Sequence, residues 1–393
     1  MVHVANSAQP LDNNQEKQGG VRVTRTTLAD GRELIYFDDD PAYVSGEKTR
    51  QLHDSRQLPA ARTISEMRRD PLTGQWYAYA AHRMNRTFMP PANENPLAPT
   101  LPGELPTEIP ADDYNVAVFE NRFPSLSMHM DVAEDFATRV DGAELYPRLP
   151  AKGRCEVVCF TPDVELSFRD LPFRRARTVV EAWAHRTREL SQLPGVRYVY
   201  PFENRGAEIG VTLQHPHGQI YAYPYLPPRA KEIAAQAAAH RQETGEDLFD
   251  SILKAEKVSG RRIISTGEHF TAFVPAAAKW PVEAMLFPHR AVADFAELTG
   301  EEKDELTRMY LDLLQRFDRF FEGVEKTPYI ASWNQAPIGP ERTNGRLHLQ
   351  LFSMMRSPDK MKFLAGSESG QGAWISDTTP EKIAERLVEI GES

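Results

Sequence analysis

Apolar and polar positions alternate with period two along several short runs, the mark of strands with one covered face. Such runs predict strands at Glu33–Phe37, Trp76–Tyr79, Tyr114–Glu120, Glu156–Phe160 and Val196–Phe202. Residues 211–225, VTLQHPHGQIYAYPY, predict a further strand. Between them, Val180, Trp183 and Ala184 share a helical face, which predicts a helix over about 174–190. Helices follow at about 230–241 and 246–257. The same order then returns: strands at His269–Val274 and Glu283–Pro288, a helix, a strand at Tyr329–Trp333, a loop, and a strand at Arg346–Ser353. Thr299 and Glu302 form a capping box at the start of that helix, which carries Leu306, Tyr310, Leu313, Leu314 and Phe317 at helical spacing to about Phe321. A last helix opens at Thr379–Pro380 and packs Ile383, Leu387 and Ile390. Strand, strand, helix, strand, loop, histidine strand thus occurs twice, a duplicated α+β unit. Residues 1–32 read as a loose leader, 33–225 as the N-terminal half and 226–393 as the C-terminal half. The proline-rich residues 89–111 read as a long surface loop.

Composition narrows the setting. The chain has 393 residues, 41% hydrophobic and 26% charged, which suits a globular protein of two domains or a duplicated one. Its net charge of −10 argues against nucleic-acid binding, which needs a basic footprint. The two cysteines, Cys155 and Cys159, sit in the apolar run CEVVCF and read as core thiols. No apolar run is long enough to span a membrane, and the polar N-terminus lacks the order of a signal peptide. A cytoplasmic setting follows as the expectation.

The chemistry concentrates in the histidine strand. If residues 211–225 are extended, His215, His217 and Gln219 project from one face, with Gly218 between them where a ligand or another backbone can approach. A neutral imidazole attacks phosphorus, and a carboxamide donates to phosphoryl oxygen. Such a pair also binds metal or serves as a buried hydrogen-bonding group, and spacing alone leaves these readings open.

Four ordered segments add a resemblance over roughly residues 60–390. HPHGQIYA preceded by FENRGAEIG, RRDPLTGQWYAYAAHRMNR, VFENRFPSL and MKFLAGSE are together similar to the galactose-1-phosphate uridylyltransferases, among the histidine-triad-like nucleotidyltransferases. The resemblance implies an α+β fold of duplicated histidine-triad-like units, each an antiparallel sheet with packed helices. It implies exchange of UMP between UDP-glucose and galactose-1-phosphate, in two steps through a uridylyl-imidazole on His217, with Gln219 holding phosphoryl oxygens. Arg83 and Arg86 match arginines that meet phosphates. Asn121, Arg122 and Phe123 match a segment at the uridine, where Arg122 replaces an aspartate and so opens the question of nucleoside selectivity. Asn204, Thr212 and His215 fall beside the phosphates. Lys362, Phe363, Ser367 and Glu368 match the sugar-phosphate end, and a homodimer with sites completed by the partner is implied.

The metal sites of the family are not matched. The loop 89–111 has no cysteine, the distant zinc histidine falls near Val164, and only His215 remains. The second set has become His348–Leu349–Gln350, with Ala291 at another ligand position and His289 two residues off register. The expectation is a protein without metal or other cofactor, packing replacing both sites, with His348 structural. His82, His129, His185, His240 and His269 read as surface or core residues. The competing readings are an ADP-glucose or dinucleoside-tetraphosphate phosphorylase or adenylyltransferase, and a non-catalytic nucleotide-binding module. A hydrolase is disfavoured because Gln219 stands where small relatives of that type carry a third motif histidine.

Overall fold

The two predicted repeats meet edge to edge. In the computed structural model, which describes residues 15–50, 52–82 and 94–392, the strands in chain order are β1 (Gln15–Gln18), β2 (Val21–Thr27), β3 (Glu33–Asp38), β4 (Glu66–Arg69), β5 (Trp76–Tyr79), β6 (Val116–Glu120), β7 (Arg148–Pro150), β8 (Arg154–Cys159), β9 (Tyr198–Arg205), β10 (His217–Tyr223), β11 (Ile263–Thr266), β12 (Phe270–Phe273), β13 (Val282–Pro288), β14 (Tyr329–Asn334), β15 (His348–Ser353), β16 (Met355–Ser357) and β17 (Lys360–Met361). The helices are α1 (Pro41–Ser45), α2 (Phe173–Leu190), α3 (Pro228–Thr244), α4 (Leu248–Ser259), α5 (Gly300–Asp318), α6 (Gly366–Gln371) and α7 (Pro380–Glu392). Among the described residues, twelve strands form one antiparallel sheet in the order β1-β2-β3-β6-β8-β10-β9-β14-β15-β13-β12-β11.

The duplication is legible in that order. Outward from the central β9–β14 pair run β10, β8, β6, β3 on one side and β15, β13, β12, β11 on the other. Phe202 and Ser332 face each other across the junction, and each is also the partner of a motif glutamine, Gln219 and Gln350 respectively. The corresponding helices α2 and α5 pack together over the middle of the sheet. Their buried aromatics form one cluster, with Trp183 5.6 Å from Trp333 and Tyr310 5.2 Å from Trp333 between ring centres. The Thr299–Glu302 capping box forms as expected, each side chain accepting from the other residue's backbone N–H at 3.2 and 2.8 Å.

Two expectations change. The leader is sheet from Gln15 onward: Val21 and Val23 are buried and β2 pairs with β3 along its length. The alternation VRVT carries that strand, but the Gly19–Gly20 turn and the polar residues before it hide it. The proline-rich loop stays at the surface, exposed over residues 101–106, but over residues 94–111 it is also anchored to the core. Leu97 and Ile109 are buried against Tyr114 and Cys159. Thr100 donates from its backbone to Ile109, and the Thr107 hydroxyl donates to Ala98. Prolines remove donors but leave carbonyls, and here threonine side chains satisfy them.

Candidate active site

The strand predicted over 211–225 begins only at His217, after the Pro216 that breaks the ladder. Within β10 burial alternates, with Gly218, Ile220 and Ala222 buried and His217, Gln219, Tyr221 and Tyr223 half-buried on the opposite face. His215 lies outside the strand, and its ring turns into the protein interior rather than projecting with the other two. Three side chains on one face therefore become two. At Gly218 the second of the two expected approaches, that of another backbone, is the one seen. A Cβ there would stand 2.8 Å from the Phe160 ring and 3.0 Å from the Phe202 carbonyl. The missing side chain admits Phe160 and the neighbouring strand, not a ligand.

His217 sits where chemistry at one nitrogen is possible. Its Nδ1–H donates to the His215 carbonyl at 2.7 Å, so Nε2 is the nitrogen that keeps the lone pair. Burial holds the imidazole below its ordinary pKa, against the opposing pull of that carbonyl. The ring is then neutral at pH 7, the form that attacks an electrophile. It lines a cavity of about 290 Å³ together with Asn204, Arg205, Gly206, Lys326 and Ser167. Arg205 is turned away to the Asp318 carboxylate (2.9 Å) and the Thr327 carbonyl (2.6 Å). The Lys326 ammonium donates to the Glu165 carbonyl at 3.1 Å and, among the described residues, has no carboxylate partner. Lys326 comes from the second unit, just before β14, and the sequence carried no signal for it. Gln219 and Thr212 stay near this cavity in the chain but do not line it. The Gln219 carboxamide, half-buried, has no hydrogen-bond partner among the described residues.

Glu203 forms the buried floor beside Asn204. Its carboxyl accepts from Tyr329 Oη at 2.8 Å and Tyr310 Oη at 3.2 Å, joining the two units. Burial pushes its pKa up to about 7, with Tyr329 opposing. Between the unfolded value of 4.5 and that folded value the native state holds a proton that the unfolded chain has lost. Stability therefore falls as pH rises through this window, by on the order of 3 kcal/mol. Glu203→Gln removes the dependence. The stability difference between variant and parent, from urea melts, should shift in the variant's favour between pH 5 and pH 8, and an equal difference at both pH values contradicts this assignment.

The other expected residues fall elsewhere. Arg83 and Arg86 lie outside the described residues. Asn121, Arg122 and Phe123 line a second cavity of about 250 Å³ with Arg32, His82 and Glu120. The Asn121 carboxamide oxygen accepts from the Phe123 backbone at 2.9 Å, and the half-exposed Arg122 guanidinium lies 3.4 Å from Glu108 and 5.7 Å from the Phe123 ring centre. Lys362 lines a third cavity of about 280 Å³ and pairs with Glu368 at 2.8 Å. The hydrogen bond from Lys362, with backbone donors from Ala365 and Ile375, holds the Glu368 carboxyl down at about 2. Its oxygens are engaged at the start of α6 rather than turned to a cavity with His217. Ser367 donates to the Ala373 carbonyl, and Phe363 is 86% exposed. Within one chain these three groups of residues do not share a cavity.

The first histidine is held by protein. Asn95 Nδ2 lies 2.9 Å from His215 Nδ1, while Nε2 lies 2.8 Å from both the Thr161 carbonyl and the Tyr114 hydroxyl. Burial pushes this ring down to about 4. With both nitrogens engaged, the ring does not fit the zinc set of the family, and among the described residues no three His, Cys, Asp or Glu side chains converge. The counterpart His348 repeats the pinned imidazole, Nδ1 donating to the Arg346 carbonyl at 2.8 Å. Phe249 and Phe287 cover it, with ring centres at 5.6 and 5.1 Å, and Gln350 is spent on Glu283 at 2.6 Å. So the second unit keeps the geometry, but its ring is buried.

Comparison with known proteins decides the family. A family model for the galactose-1-phosphate uridyl transferase N-terminal domain matches residues 56–227, and one for the C-terminal domain matches residues 232–393. The chain belongs to the galactose-1-phosphate uridylyltransferase family. A galactose-1-phosphate uridylyltransferase of Streptomyces lividans is 44% identical over 387 residues, covering 95% of this chain and 99% of its own. That of Thermotoga maritima is 34% identical, covering 83% and 98%. A solved uridylyltransferase structure superposes with a TM-score of 0.72 at 31% identity, covering 83% of this chain and 98% of its own. The protein is thus a nucleotidyltransferase of the histidine-triad-like fold. Among the described residues no helix is long and apolar enough to cross a membrane.

Proposed function

We propose that this chain exchanges UMP between UDP-glucose and galactose-1-phosphate, in galactose metabolism, through a covalent uridylyl group on His217. The observation that carries the reading is the His217 ring itself: Nδ1 is committed to the His215 carbonyl, and the ring lines an open cavity. In the first step the Nε2 lone pair attacks the α-phosphorus and the bond to glucose-1-phosphate breaks, so the sugar phosphate leaves with the bonding electrons. The ring becomes a cation, which the His215 carbonyl stabilises through the retained Nδ1–H. In the second step a phosphate oxygen of galactose-1-phosphate attacks the same phosphorus, and the electrons of the P–N bond return to the imidazole. No proton is gained or lost over the cycle.

Gln219, Lys326 and Asn204 are the groups from this cavity's side of the sheet suited to phosphoryl oxygens, with Arg83 and Arg86 joining them. The 121–123 cavity takes the nucleoside. Lys362, Phe363, Ser367 and Glu368 serve the cavity of a second copy in a homodimer, a reading supported by the exposure of Phe363 and by their separation from His217. No metal or other cofactor enters either step. The buried cysteines Cys155 and Cys159, not joined in a disulfide, suit the reducing cytoplasm.

A donor panel tests the reading. UDP-glucose, UDP-galactose, ADP-glucose and a dinucleoside tetraphosphate are each offered without acceptor, and released sugar phosphate or nucleotide is measured. Release from the two UDP-sugars alone supports it. Release from ADP-glucose or the tetraphosphate moves the chain to an adenylyl donor, and binding without release makes it a nucleotide-binding module.

A further inference from the structure

The peptide His215–Pro216–His217 is anchored more firmly than a loop leading into a strand requires. Asn95 uses its Oδ1 to accept from the Leu97 backbone at 3.0 Å, which orients the amide and leaves its NH₂ to face His215 Nδ1 at 2.9 Å. A donor there requires an unprotonated Nδ1, so the proton of His215 sits on Nε2. That proton meets the Thr161 carbonyl and the Tyr114 oxygen, each at 2.8 Å. The Tyr114 hydroxyl in turn donates to the Thr161 carbonyl at 2.7 Å and lies 3.2 Å from that of Leu97. His215, Tyr114 and Thr161 are all buried. Pro216 fixes its own φ, and its carbonyl accepts from the Phe160 backbone at 3.3 Å.

We propose that Asn95 and Tyr114 are positioning residues for nucleotidyl transfer: by engaging both ring nitrogens of His215 they fix the carbonyl that holds the tautomer and orientation of His217, with no metal ion on that ring. The proline-rich loop is then part of the machinery. It carries Asn95, packs Leu97 beneath Tyr114, and ends in the strand that follows Tyr114. The proposal rests on the reading of His217 as nucleophile. A carbonyl partner that drifts leaves the imidazole free to place its proton on the attacking nitrogen, and losing a group that orients a reacting imidazole costs about 10- to 100-fold in rate.

Two variants separate positioning from folding. Tyr114→Phe keeps the ring and removes the hydroxyl. Asn95→Asp keeps the acceptor for Leu97 but turns the donor facing His215 into an acceptor. Both should remain folded by thermal melting and keep KM for UDP-glucose within about threefold, while kcat falls about 10- to 100-fold, with Asn95→Asp the more damaged. In long-range ¹H–¹⁵N spectra the parent should show His215 protonated at Nε2 and His217 at Nδ1, and Asn95→Asp should reverse the first. Parent protein washed with chelator should keep full turnover and hold less than 0.1 equivalent of zinc on an order-of-magnitude scale. A kcat within twofold of the parent for both variants, a parent His215 protonated at Nδ1, or turnover that depends on about one equivalent of zinc overturns the proposal. A parent that releases no sugar phosphate from any donor overturns the nucleophile reading instead, and the spectra still decide the tautomer of His215.

Discussion

His217→Ala lowers turnover by a factor on the order of 10⁴ to 10⁶, the range seen when an essential covalent nucleophile is removed. The fold survives, because the ring is half-buried and, among the described residues, makes one hydrogen bond, to the His215 carbonyl. Donor binding survives as well, since the expected nucleoside contacts line a different cavity. The loss therefore appears in kcat and in the half-reaction, not in the affinity for UDP-glucose. His348 supplies the contrast: its ring is buried between Phe249 and Phe287, so His348→Ala costs stability and leaves the chemistry in place. Steady-state and single-turnover rates on both variants, beside their urea melts, check the pair. A His217→Ala protein within tenfold of the parent, an order-of-magnitude limit, contradicts the assignment.

Arg186→Ala carries the largest expected loss of stability, about 3 to 5 kcal/mol. The Arg186 side chain is 2% exposed and donates to both oxygens of Glu156, at 2.9 and 2.8 Å. Glu156 is itself fully buried on β8, opposite Ile220 of the histidine strand, and among the described residues has only Arg154 as a second cationic partner. Removing the guanidinium leaves most of a carboxylate desolvated and unpaired. The pKa of Glu156 states the same balance: burial pushes it up, yet the two guanidinium groups hold it below the ordinary value. Its contribution to stability is present above the unfolded value and is lost as pH falls through the lower folded one. The deficit of Arg186→Ala is accordingly greatest near neutral pH and shrinks in acid. The double change Arg186→Met with Glu156→Met recovers much of the loss, because it removes both charges together. Urea denaturation at pH 7 and at pH 4 checks this, and a loss below about 1 kcal/mol at pH 7, the size expected of an exposed pair, refutes it.

Period-two and period-3.6 patterns were enough to place the repeated strands, the helices α2 and α5 and the order of the two units, because each of these buries a continuous face. The edge of the sheet was less legible. Strand β2 is seven residues long and begins beside two glycines, so its buried valines sit in a polar, turn-rich setting. His217 and Gln219 could be placed on one face from spacing alone, but His215 could not, since Pro216 ends the alternation one residue before His217. The groups around His215 lay further from view. Asn95 and Tyr114 come from a proline-rich loop and from two residues ahead of a strand, 120 and 101 positions away in sequence, and no local pattern encodes such a contact. Lys326 has the same origin, a loop of the second unit that reaches the cavity of the first only once β9 and β14 have paired. The family motifs pointed to the 121–123 and 362–368 segments, but not to their separation: within one chain Asn121, Arg122 and Phe123, and likewise Lys362, line cavities apart from that of His217.

In the proposed cycle one nitrogen, Nε2 of His217, holds the nucleotide between two half-reactions. Incubating the protein with UDP-glucose labelled in the uridine, with no acceptor present, should leave label that is stable to base and labile to acid. Peptide mapping should locate it on His217, and glucose-1-phosphate should be released in equal amount. Label on another residue, or glucose-1-phosphate that appears only when galactose-1-phosphate is added, contradicts the account.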